Sequence, residues 1–303
     1  MSVNVLRGVI APNLTPFNAD LSVAEDLYLD HAQWLIEQGC VGLAPFGTTG
    51  EALSIGMDER MSLLEKLCKR VAPEKIVPGT GLTSHPDTVK LTQHAVDLGC
   101  AGAMTLPPFY FKGVSDDGLF EYFKWLIDAV NRPALKIYLY HIPQVSGVAI
   151  PPSVTQRLFQ AYPDVIVGIK DSSGVWENTE KLLAIKDLIV YPAQENTLIE
   201  GHALGAAGCI SATANLNPAN IAKLIKSVQA GAPDMVLNAQ VSAFRKLVAG
   251  AGPIPAQKAL LTHWTGDDRW SRLRPPLMAM PDVNVTELAT AVDALDGYQK
   301  PSF

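Results

Sequence analysis

No apolar run in the 303-residue chain approaches the roughly 18 residues that a bilayer-spanning helix needs. The opening residues, MSVNVLRGVIAPNLTPF, lack an apolar h-region with a small-residue cleavage site and are interrupted early by proline. A cytoplasmic protein with no membrane partner is expected. Basic residues are the minority, 24 Lys and Arg against 30 Asp and Glu for a formal net charge of -6, and no long basic run occurs. The electrostatic footprint for a phosphate backbone is therefore missing, and nucleic acid is not expected as a partner. The 4 cysteines, Cys40, Cys68, Cys100 and Cys209, form no C-x-x-C pair, which argues against a zinc cluster and a thioredoxin-type couple. They read as buried reduced thiols. Neither H-E-x-x-H, nor a clustered His, Cys and carboxylate set, nor a G-x-S-x-G elbow is present, so no metal site and no serine nucleophile is expected.

What the chain does have is apolar material: 48% of its residues are hydrophobic and only 18% charged, which excludes disorder, collagen and coiled coil. Short β-branched or apolar runs alternate with longer amphipathic stretches, punctuated by Gly, Pro, Ser or Asn. The spacing predicts strands at Gly8–Asn13, Val41–Gly47, Lys75–Gly81, Ala101–Pro107, Leu135–His141, Val165–Lys170, Leu188–Ala193 and Gly208–Thr213. Helical periodicity falls between them, for example Leu63, Leu64, Leu67 and Val71. A repeat of about 30 residues, with strands apolar on both faces, is that of buried parallel βα units. A doubly wound sheet would carry G-x-G-x-x-G after its first strand; the nearest approach, Gly79-Thr80-Gly81, follows the third and lacks the last glycine. The expected fold is α/β, a (β/α)8 TIM barrel over residues 1–228 that carries the active site. Beyond Val228 only helical patterns remain, so residues 229–303 are read as a C-terminal helical extension.

Catalytic groups of such a barrel stand at the C-terminal ends of its strands. Lys170 ends the run Val165–Ile169, and an amine held in a poorly hydrated cavity attacks carbonyls; the same position suits a strand-end lysine reaching for solvent. Tyr140 closes the preceding strand on the same face as Tyr138 and could pass protons, although a strand tyrosine also serves packing alone. His141 points the other way and reads as a hydrogen-bonded histidine behind the barrel wall. Gly47-Thr48-Thr49-Gly50-Glu51 offers two hydroxyls and backbone N–H groups suited to a small carboxylate. Thr48-x-x-Glu51 is also a capping box for the next helix.

These residues fall into segments whose order resembles the dihydrodipicolinate synthase / N-acetylneuraminate lyase family of class I, Schiff-base aldolases. The segments are Thr15-Pro16-Phe17, GTTGE at Gly47 to Glu51, PPFYFKG at Pro107 to Gly113, YHIPQVSG at Tyr140 to Gly147, GIKDSSG at Gly168 to Gly174, GCISATAN at Gly208 to Asn215 and GPIPAQKAL at Gly252 to Leu260. The resemblance implies a pyruvate-dependent lyase in which Lys170 forms the imine, Tyr140 shuttles protons and Thr48 links Tyr140 into a relay. Tyr110 would be presented across a subunit interface of a homodimer or homotetramer. Gly47, Thr48, Thr49, Glu195, Ile210 and Ser211 would bind substrate, and the covalent imine would replace any cofactor.

At the position where synthases of the family carry an arginine for the carboxylate of aspartate semialdehyde, this chain has Val145. The sialate branch uses an Asp-Glu pair and a serine where Glu195, Asn196 and Ala212 align here. The reading that remains is an aldolase joining pyruvate or another 2-oxo acid to an aldehyde, giving a 2-keto-3-deoxy sugar acid or other 4-hydroxy-2-oxo acid, with Phe46 and Phe109 either narrowing the mouth or belonging to the core. The synthase, a dehydratase using the same imine and a non-catalytic binding barrel are the alternatives.

Overall fold

A computed structural model describes residues 5–298, 300–301 and 303. Its strands are β1 (Gly8–Ala11), β2 (Gly42–Leu43), β3 (Ala103–Thr105), β4 (Ile137–His141), β5 (Ile166–Asp171), β6 (Ile189–Pro192) and β7 (Gly208–Ile210). All pair in parallel, in the orders β2-β1-β7 and β3-β4-β5-β6. Residues from Ile76 to Gly79 join the two sheets, through parallel bridges of Ile76 to Leu43 and Gly79 to Met104. This is the predicted third strand reduced to bridges, because Pro78 has no N–H to offer a ladder. On the other side the Ala207 N–H donates to the Val190 carbonyl at 3.0 Å, closing the ring between β6 and β7. All eight predicted strand positions are therefore occupied, and the barrel is the one expected.

Closure depends on glycine at the seam. Gly208 has φ +141°, and a Cβ there would sit 1.9 Å from the Gly8 carbonyl oxygen, so β7 and β1 approach backbone to backbone. Helices alternate with the strands and bury their apolar stripes outside them, as Leu63, Leu64 and Leu67 do from Met57–Arg70. Inside the ring Ile10, Ala44, Met104, Tyr138, Tyr140, Val167 and Ile210 belong to one core cluster.

The C-terminal region forms helices Met235–Gly250, Pro253–Thr265 and Asp282–Asp293. Phe244, Leu260, Trp270 and Val292 pack there with Leu14, Leu27 and Leu216 of the barrel, joining the two parts through one apolar core. Among the described residues no helix is long and apolar enough to cross a membrane. The cysteines depart from expectation: Cys40 and Cys209 are buried, but Cys68 and Cys100 are partly exposed and stand 4.0 Å apart, sulfur to sulfur. Cys68 lies in the last turn of the helix Met57–Arg70 and Cys100 follows the next helix, so adjacent βα units bring together thiols 32 positions apart.

Candidate active site

The turn after β2 is built on an unusual backbone. Phe46 and Glu51 both have positive φ, 59° and 56°, and a Cβ on the neighbouring Gly79 would sit 2.0 Å from the Phe46 carbonyl oxygen. Such conformations persist only where the surroundings over-determine them. Here the Thr15 hydroxyl donates to the Gly50 carbonyl at 2.8 Å, and the Glu51 carboxylate turns under the loop to meet Lys258 at 2.6 Å. Lys258, fully buried on the helix Pro253–Thr265, also donates to the Thr15 carbonyl at 2.9 Å and lies 4.6 Å from the centre of the Phe17 ring. Burial lowers its amine to about 8, with Glu51 opposing the shift. The capping box Thr48-x-x-Glu51 is not formed. The helix that follows is capped instead at Gly56, whose N–H donates to Glu59.

The braced turn presents Thr48 to the barrel axis, where its hydroxyl stands 3.1 Å from that of Tyr140. Tyr140 pairs in register with Lys170 on the next strand, and the Lys170 Nζ lies 4.3 Å from the centre of the Tyr140 ring. Both are buried, Lys170 to 4% exposure. Their strand neighbours face outward: His141 Nδ1 accepts the Ile150 N–H at 2.9 Å, and Asp171 accepts from Ser173, Asn178 and Thr179. Burial depresses the His141 imidazole below its ordinary value, with the Asp171 charge opposing. His141 is thus the hydrogen-bonded histidine expected behind the wall, with Asp171 beside it as an addition. One layer deeper Tyr138 meets Tyr191 at 6.0 Å between ring centres, and burial raises the Tyr138 phenol to about 12.

Above Tyr140 opens a cavity of about 310 Å³, with Gly47, Thr48 and Glu51 on one side. Phe46, Met104, Phe109, Ile142 and Val145 line it from the barrel, and Phe46 is at the same time part of a buried core cluster. Ile254 and Leu277 come from the C-terminal region.

The remaining predicted residues separate. Thr49 is half-buried on the same turn, outside the cavity wall. Ile210 lies in the core cluster that holds Tyr140. Glu195 and Ser211 belong to another buried cluster: the Glu195 carboxylate accepts from Ser211, from Thr213 and from Arg245 at 2.7 Å, with both oxygens engaged. Tyr110 is 76% exposed on the loop after β3, stacked edge-on with the exposed Phe111 and absent from the cavity wall. Sequence reasoning gave no role to Lys258 or Arg245. Each is a cation beside a buried helical stripe, Lys258 within Ala256–Leu261 and Arg245 next to Phe244, and that placement was the available signal.

The model of the dihydrodipicolinate synthetase family matches residues 5–295. The chain belongs to that family. A DapA-like lyase of Chloroflexus aurantiacus is 33% identical over 95% of this chain and 97% of its own. The 4-hydroxy-tetrahydrodipicolinate synthase of Agrobacterium fabrum is 30% identical over 91% and 93%. The crystal structure of dihydrodipicolinate synthase from Agrobacterium tumefaciens superposes with a TM-score of 0.87 at 33% identity, covering 95% of this chain and 99% of the other. This member of the dihydrodipicolinate synthetase family is thus a lyase built on the barrel of its relatives.

Proposed function

We propose that the chain is a pyruvate-dependent class I aldolase that breaks or forms the C3–C4 bond of a 4-hydroxy-2-oxo acid. The observation that carries this is the Lys170 amine against the ring of Tyr140, whose hydroxyl meets Thr48 at 3.1 Å. Nucleophile, proton carrier and relay stand together at neighbouring strand ends. Lys170 condenses with the C2 carbonyl and releases water. Tyr140 takes the C4 hydroxyl proton as the C3–C4 bond breaks, the aldehyde leaves, and the protonated imine receives the electron pair as an enamine. Protonation at C3 and hydrolysis then return pyruvate and the free amine. The imine is the electron sink, so the reaction as written calls on no cofactor.

Backbone amides and hydroxyls of Gly47, Thr48 and Thr49 take the 2-oxo acid carboxylate in this reading. Ile210 supports the floor beneath it, while Ser211 and Glu195 brace the ends of β7 and β6. Tyr110 reaches the relay of a second copy in a homodimer or homotetramer, a role supported by its exposure and that of Phe111.

The named synthases at 30% identity favour a second reading, condensation of pyruvate with aspartate semialdehyde. Against it stands Val145 at the cavity wall, which has no charge to pair with the semialdehyde's carboxylate. Incubation with pyruvate and borohydride tests the chemistry common to both. Intact mass and peptide mapping should show one reduced pyruvyl adduct on Lys170 and none in Lys170→Ala. An adduct elsewhere, or no adduct, overturns the imine mechanism.

A further inference from the structure

The described residues that line the cavity above Tyr140 include Thr48 and Tyr140 but not Lys170, whose amine stands 4.3 Å from the Tyr140 ring, and no other lysine and no arginine, histidine, asparagine or glutamine is among them. The polar side chains that do reach it are mostly committed. Thr48 and Tyr140 bond each other, and the Glu51 carboxylate is held by Lys258 and the Arg274 N–H. The Ser146 hydroxyl stands 3.0 Å from the Ile142 carbonyl and 2.8 Å from that of Val148, one of which takes its proton, leaving Ser54 to add one hydroxyl. Cations on the flanking loops are engaged as well. Lys112 donates to the Phe109 and Ser146 carbonyls, and Arg274 binds Glu59 and the Ser54 and Leu21 carbonyls.

A polyhydroxylated or anionic aldehyde entering this space gives up water and finds few partners in return. A hydrocarbon substituent finds Met104, Phe109, Ile142, Val145, Ile254 and Leu277. We propose that the aldehyde handled here carries an apolar substituent, alkyl or aryl, and that the preferred substrate is a 4-hydroxy-2-oxo acid with a hydrocarbon group on C4. The inference rests on the aldolase reading of Lys170. In the forming direction the enamine carbon C3 bonds to the aldehyde carbon, and the new alkoxide takes the Tyr140 proton. Water then cleaves the imine, restoring the Lys170 amine with no net oxidation or reduction.

The test supplies the purified full chain with pyruvate and, separately, acetaldehyde, butanal, hexanal, benzaldehyde, glyceraldehyde and succinic semialdehyde, with borohydride trapping in parallel. The expected result is a rise in kcat/KM of about fourfold per methylene from acetaldehyde until the cavity is full. Hexanal or benzaldehyde should exceed glyceraldehyde and succinic semialdehyde. Leu277→Gln should lower the hexanal-to-acetaldehyde ratio about tenfold, a ratio that partial loss of folded protein leaves unchanged. Val145→Arg should shift preference toward succinic semialdehyde. A Lys170 adduct with preference for glyceraldehyde or the semialdehyde overturns the apolar substrate alone. Failure to trap pyruvate on Lys170 overturns it together with the aldolase reading.

Discussion

Thr48 shows how little of a residue's role is in its identity. Threonine is common in turns; here a braced loop sets its hydroxyl 3.1 Å from the phenol of Tyr140, 92 positions away. In the proposed mechanism that contact carries a proton after the imine has formed, so removing it should separate two steps. Thr48→Val is expected to lower kcat for aldol cleavage about 10²-fold. Borohydride trapping of pyruvate on Lys170 should persist, and stability should change by about 1 kcal/mol, as for one hydrogen bond. Steady-state kinetics beside adduct mass check this; equal loss of trapping and turnover would remove Thr48 from the relay.

Among the elements, the helix Pro253–Thr265 matters to the site more than its distance in sequence suggests. It buries Lys258 against Glu51, 207 positions away, and so holds down a turn with two strained residues. Lys258→Met leaves a buried carboxylate without its partner and should destabilise the protein by about 3–5 kcal/mol in urea unfolding, with partial recovery in Lys258→Met/Glu51→Gln. No recovery would mean that the ammonium serves the Thr15 carbonyl more than the carboxylate. The same pair explains what the sequence could and could not reveal. Strand positions were legible because buried β-branched runs announce themselves locally; Lys170 and Tyr140 stood out near the ends of such runs, but their roles came from the family resemblance and not from position, which suits a solvent-seeking lysine and a packing tyrosine as well. The capping box misled because Thr48-x-x-Glu51 is a local pattern, whereas the Glu51 carboxylate answers to a lysine from the far end of the chain. The ion pair of Glu195 was hidden for the same reason, with Arg245 arriving from a helix 50 positions on. The third strand was over-read because its apolar residues fit a ladder that Pro78 cannot complete.

For the whole molecule, the proposal that Tyr110 serves the relay of a second copy starts from its exposure beside an exposed Phe111. Tyr110→Phe should cut turnover about tenfold and Lys170→Ala should abolish it. Refolding the two variants together should nevertheless restore about a quarter of the wild-type sites, since half of randomly paired dimers are mixed and each contains one intact site. No regain in the mixture, with dimers present by sedimentation, would place Tyr110 in its own chain's chemistry or outside it. The molecule also divides labour in a way that the barrel alone would not suggest. Lys170, Tyr140 and Thr48 belong to the barrel, while Ile254 and Leu277, which line the same cavity as Tyr140 and Thr48, belong to the helical region beyond it. On the proposed reading, substitutions at Ile254 or Leu277 would change which aldehyde is accepted while the reacting groups stay untouched, so the tail of the gene, Lys258 excepted, is where new diets would evolve without passing through a dead enzyme.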